Sequence, residues 1–280
     1  MTVLYADRIM RGNIAIPRQT GAAAAFLDKQ LAVGRVAFPL PELIKETGLS
    51  RLAARKQLLR LGDCVAQPSR RHSFFLIVGP EHRAVGVPPV AWWLDDFFKW
   101  LGRPYYMALQ SAAATYGSLP QAVQVTQVMT DESRREIVAG KLRIQFFVKR
   151  AIDQTPTQPL ANAYTRLVVS TPEATAFDLI RYASRIGGIG RAVETLRPML
   201  PLMRVPEMKR VLQAENEAST ARRLGYIMER SGNAMLAGAI HDWLPSQMPL
   251  IPLIPMKLKS SDAFIIERWR LVNNSGEFEP

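Results

Sequence analysis

Along residues 39–78, PLPELIKETGLSRLAARKQLLRLGDCVAQPSRRHSFFLIV, the apolar positions change period twice. Residues 41–47 are amphipathic and open with Pro41 and Glu42, which suit a first helical turn. Gly48 and Leu49 make a turn, and Ser50 is an N-cap residue for a second helix that Gly62 ends. Ala54, Leu58 and Leu61 recur in that helix at i, i+4 and i+7, so they face a core. The same spacing puts Lys56, Gln57 and Arg60 on the opposite face, Arg51 in the first turn and Arg55 on the flank of the core stripe. Residues 65–78 then alternate and become apolar, interrupted by Ser69, Arg70, Arg71 and His72. That is the pattern of a hairpin with a basic tip.

Helix, glycine turn, helix and basic hairpin is the order of a winged helix-turn-helix. Ala-rich residues 22–33, with Phe26, Leu27 and Leu31 at helical spacing and Gly34 as the stop, predict a bracing first helix. Residues 36–39 predict a short strand before the second. Residues 1–19 show no period and read as an arm. Pro80, Pro88 and Pro89 with two glycines mark a boundary over residues 79–89. Beyond it, helices are predicted over residues 91–101 (AWWLDDFFKWL), 105–116 (YYMALQSAAATY) and 171–186, as a helix or helix pair over 208–230, and over 234–244. Residues 123–129, 143–148, 168–169 and 268–273 are rich in β-branched and aromatic residues and predict strands. Ser170, Thr171, Pro172 and Glu173 form a strong helix start. Mixed helices and strands after residue 90 imply a layered α/β or α+β domain.

Charge sharpens this picture. The net charge is +12, and residues 1–90 alone hold 13 Lys and Arg against 6 Asp and Glu. A basic excess concentrated on the helix-turn-helix pattern favours a polyanionic partner, of which nucleic acid is the simplest. Arginine reads guanine edges through two hydrogen bonds, lysine serves phosphates as a point charge, and a basic hairpin tip suits a phosphate or an adjacent minor groove. The single cysteine, Cys64, forms no internal disulfide and reads as a small buried residue, consistent with a reducing cytoplasm. No long uncharged apolar run predicts a membrane span.

Little favours an enzyme. The histidines His72, His82 and His241 lack metal-ligand spacing. No phosphate-binding Walker motif or nucleophile elbow occurs, and Gly187, Gly188 and Gly190 follow a helix, so they read as a helix stop. Asp95 and Asp96 are adjacent and diverge on a helix. Asp178, inside an otherwise apolar helix, is expected to pair with Arg181 or cap a neighbour. No metal or cofactor is expected.

Four stretches then bear on family. Residues 170–196 (STPEATAFDLIRYASRIGGIGRAVETL), 104–117 (PYYMALQSAAATYG), 220–232 (TARRLGYIMERSG) and 249–274 (PLIPLIPMKLKSSDAFIIERWRLVNN) resemble, in order and spacing, the AbiEi-type antitoxins of AbiE type IV toxin–antitoxin systems. Residues 249–255 depart from the family in being Pro-rich. The resemblance implies a non-enzymatic, bifunctional prokaryotic protein. Its N-terminal domain would bind promoter repeats and repress its own operon, and its C-terminal domain would oppose an AbiEii-like nucleotidyltransferase toxin.

The combined expectation is an α+β chain. Residues 1–88 form a winged helix-turn-helix domain and residues 89–280 a larger mixed α/β antitoxin domain. Ser50, Arg51, Arg55, Lys56, Arg60, Arg70 and Arg71 contact double-stranded promoter DNA. The protein is expected in the cytoplasm at the nucleoid, without a membrane partner, monomeric in solution and cooperative on DNA. Arg222, Arg223, Lys257 and Lys259 are candidates for the antitoxic surface or plain solvated charges. One rival is a protein-interaction module with a repurposed winged helix, marked by a neutral or acidic recognition face. Another is a nucleic-acid enzyme, marked by carboxylates converging in one pocket.

Overall fold

The computed structural model describes residues 21–118, 125–160, 166–255 and 263–274. The expected arm at residues 1–19, and Lys257 and Lys259, lie outside them. In chain order the elements begin α1 (Ala22–Ala32), β1 (Ala37–Pro39), α2 (Leu40–Thr47), α3 (Arg51–Arg60), β2 (Val65–Ala66), β3 (Phe74–Ile77), α4 (Leu94–Leu101), β4 (Tyr105–Met107), α5 (Leu109–Thr115), β5 (Val125–Thr130), β6 (Ile137–Ala139) and β7 (Leu142–Val148). They continue with β8 (Thr157–Pro159), β9 (Val168–Ser170), α6 (Pro172–Arg181), α7 (Gly188–Leu196), α8 (Val205–Glu215), α9 (Ala218–Arg230), α10 (Ala234–Trp243), β10 (Ile251–Pro252), β11 (Phe264–Ile266) and β12 (Leu271–Asn273). This is an α+β composition. The chain divides into two compact units, the first comprising Met1–Arg103, Glu136–Ile144 and Asn162–Arg166, the second Pro104–Arg135, Gln145–Ala161 and Leu167–Pro280.

In the first unit α1, α2 and α3 enclose Phe26, Leu27, Leu40, Leu43, Ala54, Leu58 and Leu61. A three-stranded sheet of order β1-β3-β2 completes the core, both pairings antiparallel, with Ala37 opposite Leu76 and Val65 opposite Ile77. Gly48 closes α2 at φ 68, a conformation glycine adopts without penalty. The N-cap of α1, Gly21, has no side chain to offer. Gln57 of α3 substitutes for it, its Oε1 accepting from Ala23 N at 2.9 Å. Gln57 therefore turns toward α1 rather than outward with Lys56 and Arg60, because an orphan helix donor lies within its reach.

The aromatic segment 91–101 is not one helix. A single tight turn at Val90–Trp92 precedes α4, and buried Trp93 between them donates its indole N–H to Pro88 O at 3.2 Å. Phe97 then packs edge-on to Phe74 of β3 at 5.2 Å. His72, expected with Arg70 and Arg71 in a hairpin tip over a phosphate or an adjacent minor groove, stacks edge-on to Phe97 and Trp100 at 5.9 and 5.6 Å. The aromatic surface of α4 draws the ring inward.

In the second unit the strands run in the order β7-β5-β4-β9-β8. Residues 105–107 are strand rather than the expected start of a helix. Tyr105 lies opposite Thr130 of antiparallel β5, and Met107 opposite Val169 of parallel β9, so tertiary pairing on both sides overrides the helical pattern. The chain turns at Leu109, φ 54, into α5, whose Ala112 and Ala113 are fully buried. Thr171 caps α6 by accepting from Ala174 N at 3.3 Å. That helix stops at Arg181, five residues before the expected end, and Gly187 at φ 103 starts the unanticipated α7. The 208–230 segment is a helix pair, split where Asn216 takes a left-handed φ of 45.

A small sheet of order β10-β12-β11 closes the chain. It is anchored by Trp269, fully buried against α9. A Cβ at Gly225 would run into the Trp269 ring, so this helical position needs glycine for close approach. Gly225→Ala is expected to expel the ring and lower stability by about 1–3 kcal/mol. Urea unfolding monitored by tryptophan emission checks this; an unshifted midpoint with unchanged emission would show that the ring has room to spare.

Candidate functional site

Two groups of charged side chains stand out, one exposed in the first unit and one buried in the second. The exposed group is organised by α3. Ser50 Oγ accepts from Ala53 N at 3.2 Å and fixes where the helix begins. Buried Ala54 and Leu58 fix which side faces in. Arg51, Arg55, Lys56 and Arg60 are consequently all exposed. Between β2 and β3, Gln67 Nε2 donates to His72 O at 2.7 Å and closes a loop that leaves Arg70 and Arg71 exposed. Among the described residues none of these six cations forms an ion pair, whereas nearby Lys29 and Arg35 are paired with Glu46 and Glu42. The structure thus places all seven predicted residues at the surface of one unit, with Ser50 already occupied as a cap.

The buried group centres on Lys149, which is 3% exposed. Its ammonium donates to Asp178 Oδ1 at 2.9 Å, Glu215 Oε1 at 2.5 Å and the Tyr106 hydroxyl at 3.1 Å. The Tyr106 hydroxyl in turn donates to Asp178 Oδ2 at 2.7 Å, and Thr155 donates to Glu215 at 3.0 Å. Asp178 therefore pairs with Lys149 and Tyr106 rather than with Arg181. Arg181 instead reaches Glu215 and Glu217, each at 3.2 Å. Burial pushes the Glu215 carboxyl above its ordinary range, although Lys149 pulls it back. Burial and the Asp178 charge hold the Tyr106 phenol well above its ordinary value.

Two carboxylates do converge here, the arrangement expected of a nucleic-acid enzyme. They are sealed, however: Asp178 is fully buried and the Glu215 side chain is 3% exposed. Lys149 lies between them as a shared cation, and Arg181 adds a second positive charge on Glu215. A cavity of about 140 Å³ lined by Val193, Arg197, Tyr226, Ile227, Arg230 and Ser231 holds no carboxylate. No cluster of His, Cys, Asp or Glu among the described residues could hold a metal ion.

Arg222 and Arg223 prove to be framework residues. Arg222 is 3% exposed and donates to the carbonyls of Trp269 and Pro249, each at 2.8 Å, and of Arg270. Arg223 donates to the carbonyls of Pro252 and Leu253 at 2.9 and 3.0 Å. Both thus tie α9 to the closing sheet, and the Pro-rich stretch supplies carbonyls for them. In the same unit, Tyr116 donates to Ser170 O at 2.5 Å.

Residues 105–230 match the family model of the AbiEi antitoxin C-terminal domain. This segment belongs to the AbiEi antitoxin family. The AbiEi domain so defined runs from β4 to the end of α9 and contains the whole Lys149 cluster. Most of the chain also superposes on the crystal structure of the RV2827C protein from Mycobacterium tuberculosis. That TM-score is 0.65 at 16% identity, covering 93% of this chain and 94% of that one, a likeness of fold. An antigenic nucleotidyltransferase-like protein from Paracoccidioides brasiliensis aligns at a TM-score of only 0.32 and 11% identity, over 52% of this chain and 88% of that one. No curated protein matches the sequence. No helix among the described residues is long and apolar enough to cross a membrane.

Lys149→Met would leave Asp178 and Glu215 buried without their cation. A loss of about 3–5 kcal/mol at neutral pH is expected. Burial already raises the Glu215 carboxyl and Lys149 pulls it back, so in the variant it should titrate further above its ordinary range; stability is intact at acid pH and is lost as pH rises through that raised value. The deficit relative to the parent should therefore shrink between pH 7 and pH ~4. Denaturant unfolding across that range is the check, and a deficit independent of pH would exclude the carboxylates as its cause.

Proposed function

We propose that the chain is a sequence-specific DNA-binding autorepressor and an antitoxin. Residues 1–88 act as a winged helix-turn-helix on promoter repeats, and residues 89–280 oppose an AbiEii-like nucleotidyltransferase toxin. The observation that carries the DNA half is the set of exposed cations without ion pairs on α3 and on the β2–β3 loop. It is supported by the element order α1-β1-α2-α3-β2-β3 and by a sheet in which β3 lies between β1 and β2, as expected of a winged helix. In this reading α3 enters the major groove, where Arg51, Arg55, Lys56 and Arg60 meet base edges and phosphates. Arg70 and Arg71 meet the flanking backbone, and Ser50 sets where the helix meets it. The antitoxin half is supported by the family match over residues 105–230. The protein acts without catalysis or cofactor, in the cytoplasm at the nucleoid, as a monomer that binds cooperatively on DNA.

Titration of the protein against its own upstream promoter duplex, with a scrambled duplex as control, tests the DNA half across a salt series. Binding should prefer the promoter. Arg51→Ala or Lys56→Ala should weaken it and lower the slope of log K against log salt by about 0.9 for each phosphate no longer neutralised. Unchanged slopes across these variants would remove α3 from the interface. The same variants, co-expressed with the toxin encoded beside the gene, should still protect the cell. Loss of protection together with DNA binding would mean that the two activities are not separable.

A further inference from the structure

We propose that Leu52 and Leu59 are specificity-determining residues that seat against thymine methyl groups in the major groove. The proposal rests on the DNA-binding reading above. At about 100° per residue, seven positions bring Leu52 and Leu59 within about 20° of each other along one edge of α3, and Lys56 lies about 40° from Leu52. These three occupy the middle of the exposed face, turned away from buried Ala54 and Leu58. Arg55 lies on one flank of them and Arg60 on the other. Leu52 is 65% exposed and Leu59 82% exposed, although each is a large apolar side chain on a helix only 10 residues long.

Chemistry divides the duplex between these positions. Arginines on the flanks suit the phosphates that wall the groove. The middle of the helix faces the base edges, and the apolar group offered there is the C5-methyl of thymine. Lys56, between the leucines along the helix, adds a point charge for a phosphate beside them. α3 contains no Asp or Glu, and Arg70 and Arg71 add further unpaired positive charge in the same unit. The occupant with both apolar points and a dense anionic rim is thus a thymine-containing duplex rather than an apolar protein surface.

The test replaces thymine by deoxyuridine in the upstream promoter duplex, which deletes the methyl and leaves base pairing and charge unchanged. Affinity of the full chain is measured by fluorescence anisotropy. The parent protein should lose about fourfold in affinity for each methyl it contacts. Leu52→Ala and Leu59→Ala should bind the thymine duplex more weakly and should lose this response to deoxyuridine, while keeping the parent's salt slope. Both side chains are exposed, so melting temperatures should be unchanged. Equal affinity of the parent for thymine and deoxyuridine duplexes, with promoter preference intact, overturns the proposal and leaves the DNA reading standing. A change in sedimentation behaviour on Leu52→Ala and Leu59→Ala, with duplex affinity unchanged, assigns the leucines to a protein interface and also overturns it. Failure to prefer the promoter over the scrambled duplex sinks the DNA reading itself.

Discussion

The second unit is organised by one buried ammonium. Lys149 has lost its water, and a buried charge is tolerated only when its hydrogen-bonding capacity is met. Three acceptors meet it, from β4 (Tyr106), from α6 (Asp178) and from the last residue of α8 (Glu215). Each of those elements has to arrive at the right height and angle for the set to close. Replacing such a cluster with apolar residues often leaves stability unchanged, whereas removing one member strands the others. Its consequence is therefore geometric. It makes the spacing between the strand that opens the antitoxin domain and the helices behind it an all-or-none property.

The stretches that carry the family resemblance are, in large part, the stretches that bond to one another. Tyr106 and Tyr116, from the first Tyr-containing stretch, reach Asp178 and Ser170 in the Ser-Thr-Pro-Glu stretch. Arg222, Arg223 and Gly225, from the Arg-Leu-Gly-Tyr stretch, hold the backbone and the Trp269 ring of the closing one. What the resemblance recognises is thus a scaffold. This is why Arg222, buried, and Arg223, half-buried, both conspicuous in the sequence, are committed to carbonyl groups of their own unit.

How legible each part was follows from the range of the forces that make it. The α1-to-β3 region is written in local signals: a Ser50 cap, a Gly48 stop and apolar positions at helical spacing. Its elements fall within a residue or two of where those signals put them. Gln57 and His72 depart from those signals because their partners, Ala23 N and the rings of α4, are brought close only by folding. The same holds more strongly for Lys149, whose acceptors are 29, 43 and 66 residues away. Asp178 gave the one signal of it, a carboxylate in an apolar helix, but a single member does not reveal its set. Tyr105–Met107 departs from its helical pattern for the converse reason: the local pattern is genuine, and pairing on both edges outweighs it.

The positive charge of α3 is held differently from that of the ion-paired cations elsewhere. In the second unit Lys149, Arg181, Arg191, Arg210 and Arg268 are each balanced by a carboxylate. On α3, Arg51 lies four residues from Arg55, and Lys56 four from Arg60, with no carboxylate on the helix. Like charges at that spacing oppose the helix by about 0.2–0.5 kcal/mol per pair. The helix therefore depends on its Ser50 cap and on the burial of Ala54 and Leu58 against that repulsion. A polyanion laid along this face would remove the repulsion, so binding and helix stability are coupled with the same sign. The unpaired cations are an electrostatic liability in the free protein, and a dense row of phosphates is the environment in which that liability reverses.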